Sequence, residues 1–257
     1  MRSILTYIIL LNTFFSLGQQ VSLVSQNSMK ADRLIGFDNF GTYYEIKDAE
    51  FFKTSSTGEL NYSNVQLGKI SSANVFNPLK ISLFYENFNT VIVLDNRLAE
   101  ITLVKFNNLS PFRLVTYVSA GYDNTIWIYD QNTQQMELFD FINLKTRVTT
   151  LPISGELIEL TSNFNFCYVL TTEDILVYNY FGNLISKQPH QGFTAFEENN
   201  GVLYLKKENK IYTKDPNSYE YNALELPELL INQFFVTDET LYIYDGVILH
   251  QFQLKAN

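Results

Sequence analysis

The pattern is clearest between Asn124 and Phe141, where two apolar runs, residues 126–129 and 136–139, flank a polar turn of Asp, Gln, Asn and Thr. Both runs are β-branched or aromatic at successive positions rather than at alternate ones. Each therefore reads as a strand covered on both faces, and the pair as a hairpin. The same arrangement recurs along the chain. Apolar triplets stand at residues 43–45, 91–93, 126–128, 167–169, 203–205 and 241–243, at intervals of roughly 40 residues, the length of a four-stranded propeller blade.

Around each triplet the other strands fall into place. An inner strand precedes it, at residues 34–37, 81–85, 114–118, 157–160, 193–196 and 234–236. A third strand follows an acidic turn, at residues 49–53, 99–104, 136–139, 175–178, 210–213 and 247–252. Outer strands are weaker in pattern, at residues 61–67, 147–151, 184–187 and 222–226. The last unit has none, because the sequence stops soon after its third strand. The alternating segment Val21-Ser22-Leu23-Val24 supplies the missing partner and closes the ring, which removes exposed strand edges. The expectation is an all-β, six-bladed propeller in one domain, residues 19–257, with a seven-bladed ring or a pair of β-sandwiches as alternatives. An extra blade would have to lie in the long gap before residue 91, where residues 68–77 read as a polar loop.

The first residues carry a different signal. Arg2, an apolar stretch over residues 4–17 and the small-x-small step Ser16-Leu17-Gly18 predict a signal peptide, residues 1–18, too short to span a bilayer. An exported, periplasmic protein with no membrane anchor follows as the expectation.

Composition narrows the function classes. The chain has 257 residues, 46% of them hydrophobic and 15% aromatic, which suits a large β-core. Its net charge of −9, with no basic run, argues against nucleic acid as a partner. Two His and one Cys leave little material for a metal site, and no cofactor motif is present. Cys167, inside an apolar run, reads as a small buried hydrophobe. His190 and His250 read as structural. The acidic turns Asp48, Asp95, Asp130, Glu173-Asp174, Glu208 and Asp245 would share one rim, where a cation is conceivable; hairpin chemistry explains them better. For catalysis, the nearest carboxylates are Glu159 and Glu86, candidates for a hydrolase or lyase at the channel mouth.

The turns expected between inner and second strands carry an unneeded aromatic in four units: Phe40, Phe88, Tyr122 and Phe164. These rings read more readily as caps tucked between blades; the other reading is an arc that binds a protein partner, since interface cores are enriched in aromatics. On balance the sequence points to an interaction protein rather than an enzyme.

The segments Asp32-Arg33-Leu34-Ile35-Gly36-Phe37-Asp38, Asn77-Pro78-Leu79-Lys80-Ile81, residues 88–100 (FNTVIVLDNRLAE) and Pro152-Ile153-Ser154-Gly155-Glu156 resemble exported propeller-like proteins of Bacteroidota. The resemblance implies a subunit of an outer-membrane machine, such as the plug-type subunit of the type 9 secretion translocon, and hence an outer-membrane or secretion component as partner.

Overall fold

The structure is a computed structural model that describes residues 21–216 and 218–254; the expected signal peptide lies outside them. It is a six-bladed β-propeller, six antiparallel four-stranded sheets with no α-helix among the described residues. In chain order the first blade holds β2 (Arg33–Phe37), β3 (Tyr43–Lys47), β4 (Glu50–Ser55) and β5 (Gly58–Tyr62). The second holds β6 (Ser72–Asn74), β7 (Ile81–Tyr85), β8 (Thr90–Leu94) and β9 (Glu100–Lys105). The third holds β10 (Val115–Ala120), β11 (Thr125–Asp130), β12 (Gln135–Asp140) and β13 (Lys145–Thr149). The fourth runs from β14 (Leu157–Ser162) through β15 (Phe166–Thr171) and β16 (Asp174–Asn179) to β17 (Leu184–Pro189). The fifth comprises β18 (Ala195–Asn199), β19 (Val202–Lys207), β20 (Lys210–Lys214) and β21 (Asn222–Ala223).

The sixth blade is made from both ends of the chain. β22 (Gln233–Val236), β23 (Thr240–Tyr244) and β24 (Ile248–Leu254) are completed by β1 (Val21–Ser28), antiparallel to β24 from the pair Val21 and Leu254 to the pair Ser28 and Ile248. The clasp expected at residues 21–24 is present and continues to Ser28. A side-chain lock reinforces it. His250 donates from Nε2 to Asp245 Oδ2 at 3.0 Å and accepts at Nδ1 from Gln26 Nε2 at 3.0 Å.

Six hydrophobic clusters, one per seam between neighbouring blades, make up the core. This explains the doubly apolar strands. On β11, Trp127 faces the fourth blade while Ile126 and Ile128 face the second, so every position is buried.

The second blade departs from the expected layout by one strand. Residues 81–85 form its second strand, the triplet 91–93 its third and residues 99–104 its fourth; the inner strand is Ser72–Asn74, inside the stretch expected to be a loop. β7 and β8 are buried at every position and look alike in sequence, whereas β6 is three half-buried, small or polar residues. The outer strand of the first blade likewise falls at Gly58–Tyr62, ahead of the expected residues 61–67.

Around the central channel, polar side chains cross all six seams. Arg33 Nη1 donates to the Ser71 carbonyl at 2.7 Å, and Asn74 Nδ2 to Ser119 Oγ at 3.2 Å. Ser119 and Ser162 share a hydrogen bond at 2.7 Å, and Glu159 Oε2 accepts the Phe196 N–H at 2.7 Å. Asn199 donates to the Thr237 carbonyl at 2.8 Å, and Gln233 bonds both the N–H and the carbonyl of Leu34, at 3.1 and 2.8 Å. A buried edge strand must satisfy its polar groups, and this belt does so while fixing each blade to the next.

Candidate functional site: the channel mouth and its aromatic rim

One end of the channel is ringed by the turns between first and second strands and between third and fourth strands. In the first, second and fourth blades the first kind projects its aromatic through a shared device, a short polar side chain that bonds backbone N–H groups just downstream and so bends the chain outward. Asp38 Oδ1 accepts from Phe40 N at 2.9 Å and Thr42 N at 2.8 Å; Asn163 Oδ1 accepts from Asn165 N and Phe166 N, both at 2.8 Å. Gly41 closes the first of these turns at φ +80°, a conformation that favours glycine.

Three of the four expected aromatics share this rim; Phe40 and Phe164 stand out into water, whereas Tyr122 tucks between the third and fourth blades. Phe40 is 93% exposed and Phe164 61% exposed. Tyr122 is steadier: its ring lies 5.0 Å from that of Tyr180 and 5.7 Å from the Arg147 guanidinium. Phe88 does not belong. Because of the strand offset it sits between β7 and β8, on the opposite rim. Its place in the second blade is taken by Phe76, whose N–H is held by Asn74 Oδ1 at 3.2 Å and whose ring packs 4.7 Å from Phe164. The sequence does hold the signal for Phe76, an aromatic two residues after an Asn, as Phe40 follows Asp38. The apolar sector continues over the third and fourth blades with exposed Ile142, Leu144 and Phe181 in their outer turns, while the inner turns of the fifth and sixth blades present Asn200, Asp238 and Glu239 and the outer connection of the fifth exposes Tyr219.

The same offset reassigns the acids. Asp95 lies in the turn between β8 and β9, on the aromatic rim, and Glu86 takes its place on the acidic rim with Asp48, Asp130, Glu173, Glu208 and Asp245. Two of these carboxylates serve their own turns: Asp130 Oδ1 accepts from Leu114 N and Asn132 N, and Asp245 Oδ1 from Val247 N and Ile248 N. Hydrogen bonds from His250 and Ile248 hold Asp245 below the usual carboxylate range. Among the described residues no three His, Cys, Asp or Glu side chains are grouped to hold a metal ion.

Below the aromatic mouth lies a cavity of about 850 Å³, lined by inner strands of five blades. Its carboxyl groups are those of Asp38, Glu159, Glu197, Glu198 and Asp238, beside the single cation Arg33. Burial pushes Glu159 up to about 7, the Phe196 hydrogen bond offsetting part of the effect. Burial, and then the neighbouring Glu159 and Glu198, raise Glu197 well above the ordinary carboxylate value. Among the described residues Arg33 has one buried guanidinium nitrogen without a partner, and burial lowers its pKa. Glu86 does not line the cavity, so the two candidate carboxylates do not converge. His190 is also structural in its bonding: Nε2 donates to the Thr171 carbonyl at 2.7 Å and Nδ1 accepts from Gly192 N and Phe193 N. Cys167 is buried, and burial raises its thiol pKa well above the ordinary value.

Neither a protein-family model nor a curated protein matches the sequence. Among solved structures, the chain is similar to catalytically inactive virginiamycin B lyase from Staphylococcus aureus with quinupristin, at 12% identity and a TM-score of 0.61, over 88% of this chain and 82% of that one. It is also similar to a streptogramin B lyase, at 10% identity and a TM-score of 0.59, over 90% and 98%. Hsv2 of Kluyveromyces lactis aligns at 11% identity and a TM-score of 0.54, over 70% and 57%. At such identities the likeness is one of fold.

Proposed function

We propose that this chain is a non-enzymatic interaction module, which docks on a protein partner through the rim bearing Phe40, Phe76, Tyr122 and Phe164. The reading places it in the periplasm, against an outer-membrane or secretion component. The observation that carries it is the set of exposed aromatic and aliphatic side chains gathered on four adjacent blades of one rim. Large apolar groups held in water by ordered turns add nothing to this protein's own core, and contiguous patches of them mark association surfaces. The test is capture from native membranes by the tagged chain, compared with a Phe40→Ala, Phe76→Ala, Phe164→Ala variant. A defined envelope protein retained by the parent and lost by the variant is the expected result; equal capture by both overturns the reading.

A second reading, a lyase or hydrolase working in the channel, is favoured by Glu159, raised towards neutrality inside a cavity where a general acid or base would be poised. The lyases among the fold neighbours lend it only the precedent of a scaffold. A turnover that Glu159→Gln abolishes would establish this reading.

A further inference from the structure

We propose that the floor of the channel cavity, at Arg33, binds a small organic carboxylate. The guanidinium there is half-buried and has no counter-ion among the described residues. Its Nη1 donates to the Ser71 carbonyl at 2.7 Å, while Nη2 is closed to water and has no acceptor. No ion pair among the described residues includes it. Arg113, also buried, shows what a purely structural arginine is given. It directs Nε to Glu137, Nη1 to the Pro111 carbonyl and Nη2 to Thr146, at 2.8, 2.8 and 2.9 Å. Burying a charge without a partner is unfavourable, and a ligand that supplies the partner removes that cost on binding. Held by a single bond, the Arg33 guanidinium can turn about it and bring Nη2 to the cavity.

The acids of the cavity do not supply that partner. Asp38 follows the far end of β2 at the aromatic mouth, roughly 16 Å from Arg33 at ~3.3 Å per residue. There it accepts from the N–H groups of its own turn. Glu198 accepts from Asn163 Nδ2 and Gly201 N, both at 2.7 Å, and Asp238 from Asn39 Nδ2 and Asn200 Nδ2, at 2.7 and 3.1 Å. Glu159 and Glu197 are both raised towards the neutral acid, a form that donates a hydrogen bond instead of repelling an anion. Burial acts on Arg33 with no carboxylate opposing it. Ser72, next in the chain to the carbonyl that Arg33 holds, lines the cavity with Thr161, and among the described residues neither hydroxyl makes a hydrogen bond. Both have a proton to donate. One cation among neutral donors suits a singly charged carboxylate better than a phosphate dianion, whose second charge would face the acids at the mouth. At about 850 Å³ the cavity has the size of a small-molecule site.

The probe is benzoate, compared with its neutral counterpart benzamide and with inorganic phosphate, each titrated into the chain by calorimetry. Benzoate should bind saturably, on the order of tenfold more tightly than benzamide, the difference a charge-assisted hydrogen bond makes. It should also raise the melting temperature, as any ligand of the native state does. Arg33→Gln, which keeps a donor for the Ser71 carbonyl, should abolish benzoate binding, and without ligand it should melt no lower than the parent because the unpaired charge is gone. Ser72→Ala should weaken benzoate several-fold with melting unchanged, and it tests the site even where the Arg33 variant folds poorly. No saturable binding of benzoate, equal binding of benzamide, or benzoate binding that both variants leave intact overturns the inference. Phosphate binding as tight as that of benzoate overturns the choice of a carboxylate. Membrane capture by the aromatic triple variant is a separate result that bears on docking alone, since Arg33 lies at the end of β2 away from Phe40.

Discussion

Glu159 accepts the backbone N–H of Phe196 at 2.7 Å, so a carboxylate closes the seam between the fourth and fifth blades. Next to Phe196 in the chain, Glu197 is raised by burial and by that same carboxylate. Ionising both places two charges of one sign in a confined channel, which favours keeping a proton there.

A pH dependence follows. With Glu159 raised from 4.5 to about 7, the native state binds more protons than the unfolded chain between those values. Stability from this group is therefore fully present below about 4.5 and is lost as pH rises through about 7. Channel water screens the effect, leaving on the order of 2 kcal/mol. Urea titrations at pH 5 and pH 8 should show the parent weaker at pH 8. Glu159→Gln, which keeps an acceptor for Phe196, should remove much of that difference; an unchanged difference would refute the assignment.

The clasp gives a second expectation. A chain beginning at Asp32 lacks β1, exposing the edge of β24 and leaving His250 without its Gln26 contact. An unpaired edge invites association. The truncated chain should melt well below the parent and aggregate, and a melting temperature equal to the parent's would show that the ring closes without β1.

Where strand patterns were strong, the sequence was a sufficient guide. Five blades and the closing strand are visible as paired apolar runs, because each sheet is pressed between two neighbours and needs apolar groups on both faces. The second blade resisted because its inner strand, Ser72–Asn74, contributes half-buried Ser, Ala and Asn to the channel wall, and nothing in those three residues announces a strand. The misplacement of Phe88 and Asp95 follows from that single offset. The cavity carboxylates were harder to see still. Glu159 was visible as an acid within a strand, but its bond to Phe196 joins strands of different blades, and no local pattern encodes it.

A third expectation concerns a buried ion pair. Arg113 Nε lies 2.8 Å from Glu137 Oε2, both side chains are nearly excluded from water, and Thr146 bonds each of them. Glu137→Ala leaves a buried guanidinium without its counter-ion, which costs about 3–5 kcal/mol. Replacing both residues with apolar groups of similar volume should cost less than the single change. Chemical denaturation of the two variants checks this, and equal losses would assign the cost to packing alone.

The last expectation separates surface aromatics from core ones. Phe40 and Phe164 stand in water, whereas Phe51 and Phe139 are fully buried in the seams between blades. Phe40→Ala and Phe164→Ala remove little from the folded state, so each should change stability by less than about 1 kcal/mol. Phe51→Ala or Phe139→Ala opens a cavity that rigid sheets on both sides cannot close, at about 3–5 kcal/mol. Phe88→Ala is the rim control: its ring is 46% exposed but faces the opposite end of the channel, so it should leave both stability and partner capture near the parent's. If Phe164→Ala lowers stability as far as Phe139→Ala does, the ring supports the fold, and its exposure does not mark a docking surface.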